Sequence, residues 1–475
     1  MSKSSLRIEW FKISIIGVMC MAQTFPYYLV NSTVPTIFRA EGLDLKDFWA
    51  FSLLTIPAWA KVLWAPLVDS YGWRKIGLRK SWIVACTMLG ALSLFLLLPA
   101  PPSPSVLPFV VGVLFLHMLI MQTQDIAVDA YTLENLKPHE RGAGAAFKVF
   151  AETIGEAAAL GGLMFIYTQA TFGGQSGWGA MVIVAAILLV LFTTPVILRL
   201  EPPLDSEIVR RRAAGERPNL LRFVKRLDTP AIAALLFVGG FINFMLPALI
   251  GPMLIDNGFA LLEVGVILGV VTPVGAPLGA IASGALITRF GLPQILLALA
   301  AFAAIAFVWA SFSAALEFSQ NTMLTLLAER LSKTSLSFGE NIGIVNAIIT
   351  LIPVVAVVAA LHMVFTVSRM GWASRVQAGT DFSLHGAIYN IGRTAAVALS
   401  PFLASFVGWS VFICVMGVLI VSLCLVYRTV LPAIERLADR RRVFEGEAPH
   451  TPLANSSSHS RNHMLDNGPD IGKIE

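Results

Sequence analysis

The chain has 475 residues, 56% of them apolar and only 13% charged, with 34 Lys and Arg against 29 Asp and Glu for a net charge of +5. A soluble domain carries about 25% charged residues, so this chain cannot dress a solvated surface of its own size, and a soluble globular protein is excluded. The small positive balance calls for no nucleic-acid partner, because loop charges account for it.

Apolar runs of about 20 residues recur along the chain, the length a helix needs to cross roughly 30 Å of hydrocarbon. Barrel strands would be shorter and would alternate in polarity. The reading is an all-α polytopic membrane protein, with spans near 10–32, 48–68, 81–99, 108–130, 142–167 and 178–199, then 230–252, 261–287, 293–312, 345–367, 382–405 and 408–430. The first run, Phe11 to Val30, is followed by Asn-Ser-Thr-Val-Pro and lacks a small-residue cleavage site, so it is expected to be retained as a span. Cys20, Cys86, Cys414 and Cys424 fall inside expected spans, with neither metal-ligand nor disulfide spacing, and read as packing residues.

The spans divide as six plus six. Residues 1–200 form an expected N-terminal bundle, 201–229 a central loop, 230–430 a C-terminal bundle and 431–475 a tail, polar and disordered in expectation beyond Phe444. Residues 313–344 are too long and polar for a turn. Met323, Leu324, Leu326, Leu327 and Leu331 recur there at near-helical spacing, so an amphipathic helix outside the membrane is expected, with an extra membrane segment as the rival reading. One set of loops holds Arg79, Lys80, Lys137, Arg141 and the basic central loop, whereas Pro101 to Val106, Gln169 to Gly177 and Leu254 to Ala260 carry no Lys or Arg. Basic loops face the cytoplasm. Both chain ends and the central loop are therefore expected on the cytoplasmic side of the cell's inner membrane.

The two halves echo each other. Ala65 to Gly72, with Asp69, matches Gly284 to Gly291, with Thr288, at equal offsets. Three spans later in each half, Ile154-Gly155-Glu156 answers Ile391-Gly392-Arg393. Duplicated halves of this kind build alternating access around a central site in many secondary transporters. The stretch Asp69-x-x-Gly72-x-Arg74-Lys75-x-Gly77 resembles the loop motif of the major facilitator superfamily, with Trp73 where that family often has Arg. The resemblance implies that this loop latches the halves in one state. Lys61-x-x-Trp64-Ala65-Pro66-x-x-Asp69, Gln124-Asp125-x-x-x-Asp129-Ala130-Tyr131 and Glu140-Arg141-Gly-Ala-Gly-Ala-Ala146 look like the AmpG muropeptide permease and acetyl-coenzyme-A transporter group. Gln377 to Ser383 is similar to related siderophore permeases. The resemblance implies proton-driven uptake of a bulky, often anionic solute, muropeptide-like first, siderophore second and acyl-coenzyme-A-like third. AmpG-type permeases often have two further spans, which are not among those read in this sequence.

Ionisable residues inside a membrane persist where they face a cavity or a partner. Glu152 and Glu156 are four apart, hence on one face of the fifth span. Two carboxylates that close disfavour joint ionisation, which makes them, Glu156 first, the candidate proton-coupling pair. A structural pair bonded to Lys148 or a neighbouring helix is the alternative. Arg393 at matching depth either binds a solute carboxylate or phosphate through its guanidinium fork, or pairs with a glutamate or with Asp381. Asp125 is a candidate gate or proton exit. Asp129 reads as interfacial, and Lys61 as a snorkelling residue with a gating contact as the second reading. Gln23, Tyr27, Tyr28, Asn31, Asn243 and His362 mark the expected cavity. Trp59 and Trp64 suit either an interface anchor or stacking on solute. No P-loop and no His/Cys ligand cluster appear, and Gly142 to Ala146 and Gly275 to Gly284 read as helix packing. The expectation is a monomeric transporter with no cofactor, whose partners are a small solute, protons and lipid. An exporter on the same fold is the first rival, and a membrane-embedded enzyme or sensor is the second.

Overall fold

Lipid offers the backbone no hydrogen-bond partners, so each segment must satisfy its own groups, and the described residues do so as helices joined by short turns. The structure is a computed structural model, and it describes residues 9–73, 75–135, 150–169, 177–198, 229–316, 342–372 and 378–444. Among these residues, nine helices are long and apolar enough to cross a membrane. The expected motif residue Arg74, the loop 201–228 and the expected amphipathic helix within 317–341 lie outside the described residues.

In chain order, α1 (Trp10–Tyr28) passes through a π-turn at Leu29–Thr33 into α2 (Val34–Ala40). The first span is therefore longer than the expected 10–32. A π-turn absorbs an extra residue inside a helix, and Pro35 then falls in the first turn of α2, where its missing N–H is not needed. The second span, expected as one run over 48–68, is broken. A 3₁₀ stretch over Leu45–Thr55 leads to α3 (Ile56–Ala60), a 3₁₀ turn at Lys61–Leu63 and α4 (Ala65–Ser70). Pro57 and Pro66 each open a new short helix, because neither can donate to the turn before it.

Next come α5 (Leu78–Phe95), α6 (Leu107–Asn135) and α7 over residues 150–157, which runs through a second π-turn at Ala158–Gly162 into α8 (Leu163–Gln169). After α9 (Trp178–Leu198), the later part of the chain forms α10 (Thr229–Phe244), α11 (Ile250–Asp256), α12 (Leu261–Phe290) and α13 (Leu292–Ala315). It ends with α14 (Ile342–Trp372), α15 (Ala378–Val407) and α16 (Trp409–Phe444). Gly291, with φ of 81°, makes the turn between α12 and α13 in a conformation that side chains disfavour. The last helix does not end at 430. Leu431, Ile434 and Ala438 form a buried stripe at helical spacing, and this apolar face keeps the segment helical and docked.

Packing sorts the elements into an earlier group, α1 to α9, and a later group, α10 to α16. The principal partners of α1 are α6 and α9, while α12 packs on α14, α13 on α16, and α10 on α15. One face of the molecule carries the start of α1 and the 71–77 loop; it is called the basic face below. The groups meet toward the opposite face. There the 3₁₀ stretch Leu45–Thr55 lies on α15, the second π-turn and α8 on α12, and α2 on α11. The Thr55 and Thr394 hydroxyls bond at 2.6 Å, and a Cβ on Gly269 would sit 3.2 Å from the Gly161 Cα. Toward the basic face, α4 packs mainly on α5 and α6, within its own group.

The echoed glycines explain how each group holds its charge. A Cβ on Gly155 would come 3.1 Å from the Met21 carbonyl oxygen, and one on Gly392 would come 2.2 Å from that of Phe237. In membranes such small-residue contacts, rather than hydrophobic burial, let helices approach and pack. So α7 seats on α1, and α15 on α10, through the residue just before Glu156 and Arg393.

Candidate functional site

Between the two groups lies a cavity of about 650 Å³. Its walls come from α1, α3, α6 and α7 on one side and from α10, α12, α14 and α15 on the other. Thr36, Phe51 and Gly251 lie at its end near the opposite face, while Asp129 and Ala280 lie toward the basic face. Among the described residues the contacts between the groups lie mostly toward the former end, and the cavity opens toward the basic face.

The structure brings most of the sequence-selected polar residues to this cavity. Gln23, Tyr27, Tyr28, Asn31, Lys61, Asp125, Glu152, Glu156, Asn243, His362 and Arg393 all line it. Glu156 is 5% exposed, and its Oε1 is buried with no hydrogen-bond partner. The Tyr28 hydroxyl reaches the Glu156 carboxyl, and Glu152 acts on it through space. Arg393 is also 5% exposed. Its Nη2 donates to Asn31 Oδ1 at 2.9 Å, and its guanidinium lies 4.6 Å from the Tyr27 ring centre and 5.1 Å from that of Phe244. No carboxylate pairs with it among the described residues, so the expected alternative of an ion pair with a glutamate or Asp381 is not found. Tyr27 stands between the two charges, within electrostatic reach of both Arg393 and Glu156. The cavity therefore holds one buried acid with an open oxygen and one buried cation on neutral partners.

Lys61, Asp129 and Trp64 take definite places in the structure. Lys61, expected to snorkel to the headgroups, turns into the cavity and pairs with Asp125 Oδ2. Gln23 Nε2 donates to the other oxygen of Asp125 at 2.6 Å, so α1, the second span and α6 are tied together there. The 3₁₀ turn at Lys61–Leu63 re-aims the side chain, which a regular helix would have carried elsewhere. Asp129, expected at the interface, lines the cavity toward the basic face. The Trp64 indole N–H donates to Thr123 Oγ1 at 3.1 Å.

Of the loop motif, Gly72 and Lys75 are exposed, and Gly72 is crowded by Leu78, whose Cδ1 would lie 2.6 Å from a Cβ. The side chain of Asp69 and all of Arg74 lie outside the described residues. Arg79, counted from sequence as a loop charge, is 2% exposed and donates to the Val68 carbonyl at 3.3 Å.

Sequence reasoning missed a clasp at the opposite face. Arg39 Nε meets Asp256 Oδ1 at 2.6 Å, and Trp409 Nε1 donates to Asp256 Oδ2 at 3.0 Å. Arg39 belongs to the earlier group, and Asp256 and Trp409 belong to the later one. The partners lie 217 residues apart, and only a fold could pair them.

The sequence profile of the Major Facilitator Superfamily matches residues 16–363, most of this chain. The chain belongs to that superfamily. Among relatives, it is 26% identical over 298 residues to the "Putative transporter AmpG 4" of Rickettsia conorii, covering 59% of this chain and 68% of that protein. It is 26% identical over 299 residues to the "Anhydromuropeptide permease" of Escherichia coli K12, covering 62% of this chain and 60% of that one. Two solved superfamily-like structures share the fold. A D-xylose-proton symporter superposes with a TM-score of 0.61 at 13% identity, over 88% of this chain and 95% of that one. The nucleoside transporter NupG superposes with a TM-score of 0.58 at 13% identity, over 88% and 99%. The all-helical fold is thus that of the superfamily, the two relatives named above are a putative transporter and a permease, and the chain is a multi-pass membrane transporter rather than an enzyme.

Proposed function

We propose that this chain is a proton-coupled importer of a bulky anionic solute, with muropeptide-like compounds first, siderophores second and acyl-coenzyme-A-like compounds third. The observation that carries this reading is the pairing of a buried, half-satisfied Glu156 with a buried, carboxylate-free Arg393 in one cavity. A fixed guanidinium on neutral partners is an acceptor site for a solute carboxylate, which its fork matches in shape. A carboxylate in a closing, drying cavity is costly when ionised, so Glu156 passes the closed state with a proton or with the cation's help. Binding of proton and anion together lets the groups rock shut around a neutral ensemble. Release follows where water re-enters.

In this reading the chain crosses the inner membrane twelve times, as a monomer. Two six-helix halves, 1–200 and 230–430, flank a central loop at 201–229, and both ends lie in the cytoplasm. The basic face is then cytoplasmic, and the cavity faces inward. The name of the Escherichia coli relative supports muropeptide as the first candidate, and the cavity volume leaves room for a ligand larger than a simple amino acid.

The test is uptake into proteoliposomes under an imposed pH gradient, with all three solute classes. Wild type is expected to accumulate one class against its gradient. Glu156→Gln is expected to lose accumulation while still exchanging solute across the membrane. Accumulation by the variant with unchanged pH dependence would refute the coupling role.

A further inference from the structure

Behind the later group's cavity wall sits a second buried guanidinium that the reading above leaves idle. Arg369, in the last turn of α14, is 8% exposed. Its Nη2 donates to Thr366 Oγ1 at 3.0 Å, and its Nε is buried with no partner. Among the described residues no carboxylate lies within ion-pair distance of it. Its other neighbours are ring faces: Phe382 at 5.0 Å and Tyr389 at 5.3 Å from the guanidinium carbon. These two residues share one face of α15 with Gly386, where a Cβ would stand only 3.2 Å from Arg369 Nη1. That face is therefore cut to seat a guanidinium.

Tyr389 is the link to the cavity. Its hydroxyl is buried and unpartnered, and the cavity-lining Asn243 comes near without completing a bond. Its ring meets that of His362 edge-on at 5.5 Å, His362 meets Phe244 at 6.2 Å, and Phe244 lies against Arg393. His362 and Arg369 are seven residues apart on α14. Arg369 thus lies two turns, about 10 Å, nearer the basic face, toward which the cavity opens. The unpartnered Nε of Arg369 and the Tyr389 hydroxyl thus stand just behind the wall of the exit path. A buried charge is retained where a partner arrives to meet it, because leaving it unpaired is costly.

We propose that Arg369 and Tyr389 form a second anion site, which takes a carboxylate of the solute on its way from Arg393 toward the basic face. This rests on the anionic-solute reading above and deepens it: the preferred solute carries at least two carboxylates, spaced to engage Arg393 and Arg369 together or in turn. A purely structural arginine that pins α14 to α15 by ring stacking would not distinguish one anion from another.

Two measurements test it. In detergent, thermal unfolding is followed over graded citrate at constant ionic strength. Arg393→Gln should keep a citrate-dependent rise in the midpoint, and adding Arg369→Gln should abolish it. An Arg393→Gln protein indifferent to citrate, or a double variant that responds equally, overturns the second site. In proteoliposomes, uptake of a muropeptide with a free peptide carboxylate is compared with uptake of its amidated form. Arg369→Gln should raise KM for the free acid about tenfold, the loss of one charge-assisted hydrogen bond, and leave KM for the amide unchanged. Arg369→Lys, which keeps charge without the fork, should fall between. Equal effects on both forms overturn the proposal. Wild-type vesicles that transport no muropeptide count against the solute assignment, while the citrate series still decides the anion site.

Discussion

The clasp at the opposite face sets how strongly the cavity is held open toward the basic face, and its strength can be worked out. Asp256 accepts from Arg39 at 2.6 Å and from Trp409 at 3.0 Å, with the ion-pair side chains 23% and 17% exposed. Fully exposed pairs contribute about 0.2–1 kcal/mol, and charge-assisted hydrogen bonds at shielded sites about 1.5–3 kcal/mol. Asp256→Asn keeps an acceptor for Trp409 and removes only the charge, so the loss is about 1.4 kcal/mol, between those limits. The clasp exists only while the groups touch at that face. Its loss therefore raises the population open to the opposite face about tenfold. Thr36 reports this directly, because it is 1% exposed and a Cβ on Gly251 would press to 2.0 Å from its hydroxyl. In a background without the four native cysteines, Thr36→Cys should react with an impermeant maleimide, added at the opposite face, about ten times faster once Asp256 is Asn. Equal rates in a folded, transporting Asp256→Asn protein would show that the clasp does not bias the equilibrium.

Three further outcomes follow from the packing and the cavity. Gly392→Ala drives a methyl to 2.2 Å from a carbonyl oxygen, whereas Gly155→Ala reaches 3.1 Å; the first should lower the unfolding midpoint clearly, by overpacking of about 1–3 kcal/mol, and the second much less. Asp125→Asn removes the charge that pairs with the Lys61 ammonium. Adding Lys61→Gln should restore part of the lost thermal stability, and a double-mutant cycle in detergent reads the coupling. Arg393→Lys keeps the charge but loses the fork and the stack on Tyr27, so KM should rise by about one order of magnitude while pH dependence stays.

The spans and the echo of Gly-Glu with Gly-Arg were legible in the sequence because length and mid-membrane charge are local signals. The polar residues Gln23, Tyr27, Asn31, Asn243 and His362 could be assigned to the cavity because polar groups avoid lipid. What stayed hidden depends on rotation and distance. Helices such as α9 and α12 are apolar on every side, so no periodicity says which face turns inward. The partner of Lys61 is 64 residues away, and the residue is aimed at it by a 3₁₀ turn that no single residue announces. Nothing local in the sequence marks Arg369, in the last turn of α14, as buried. The notch at Gly386, on another helix, and the rings of Phe382 and Tyr389 seat it there.

Gly155 and Gly392 seat their helices in the same way. The same mounting was copied into both halves, yet it bears an acid in one and a base in the other. On the proposed function, a solute held there would meet unlike jaws on its two flanks, and would ride the passage in one orientation and not in the reverse.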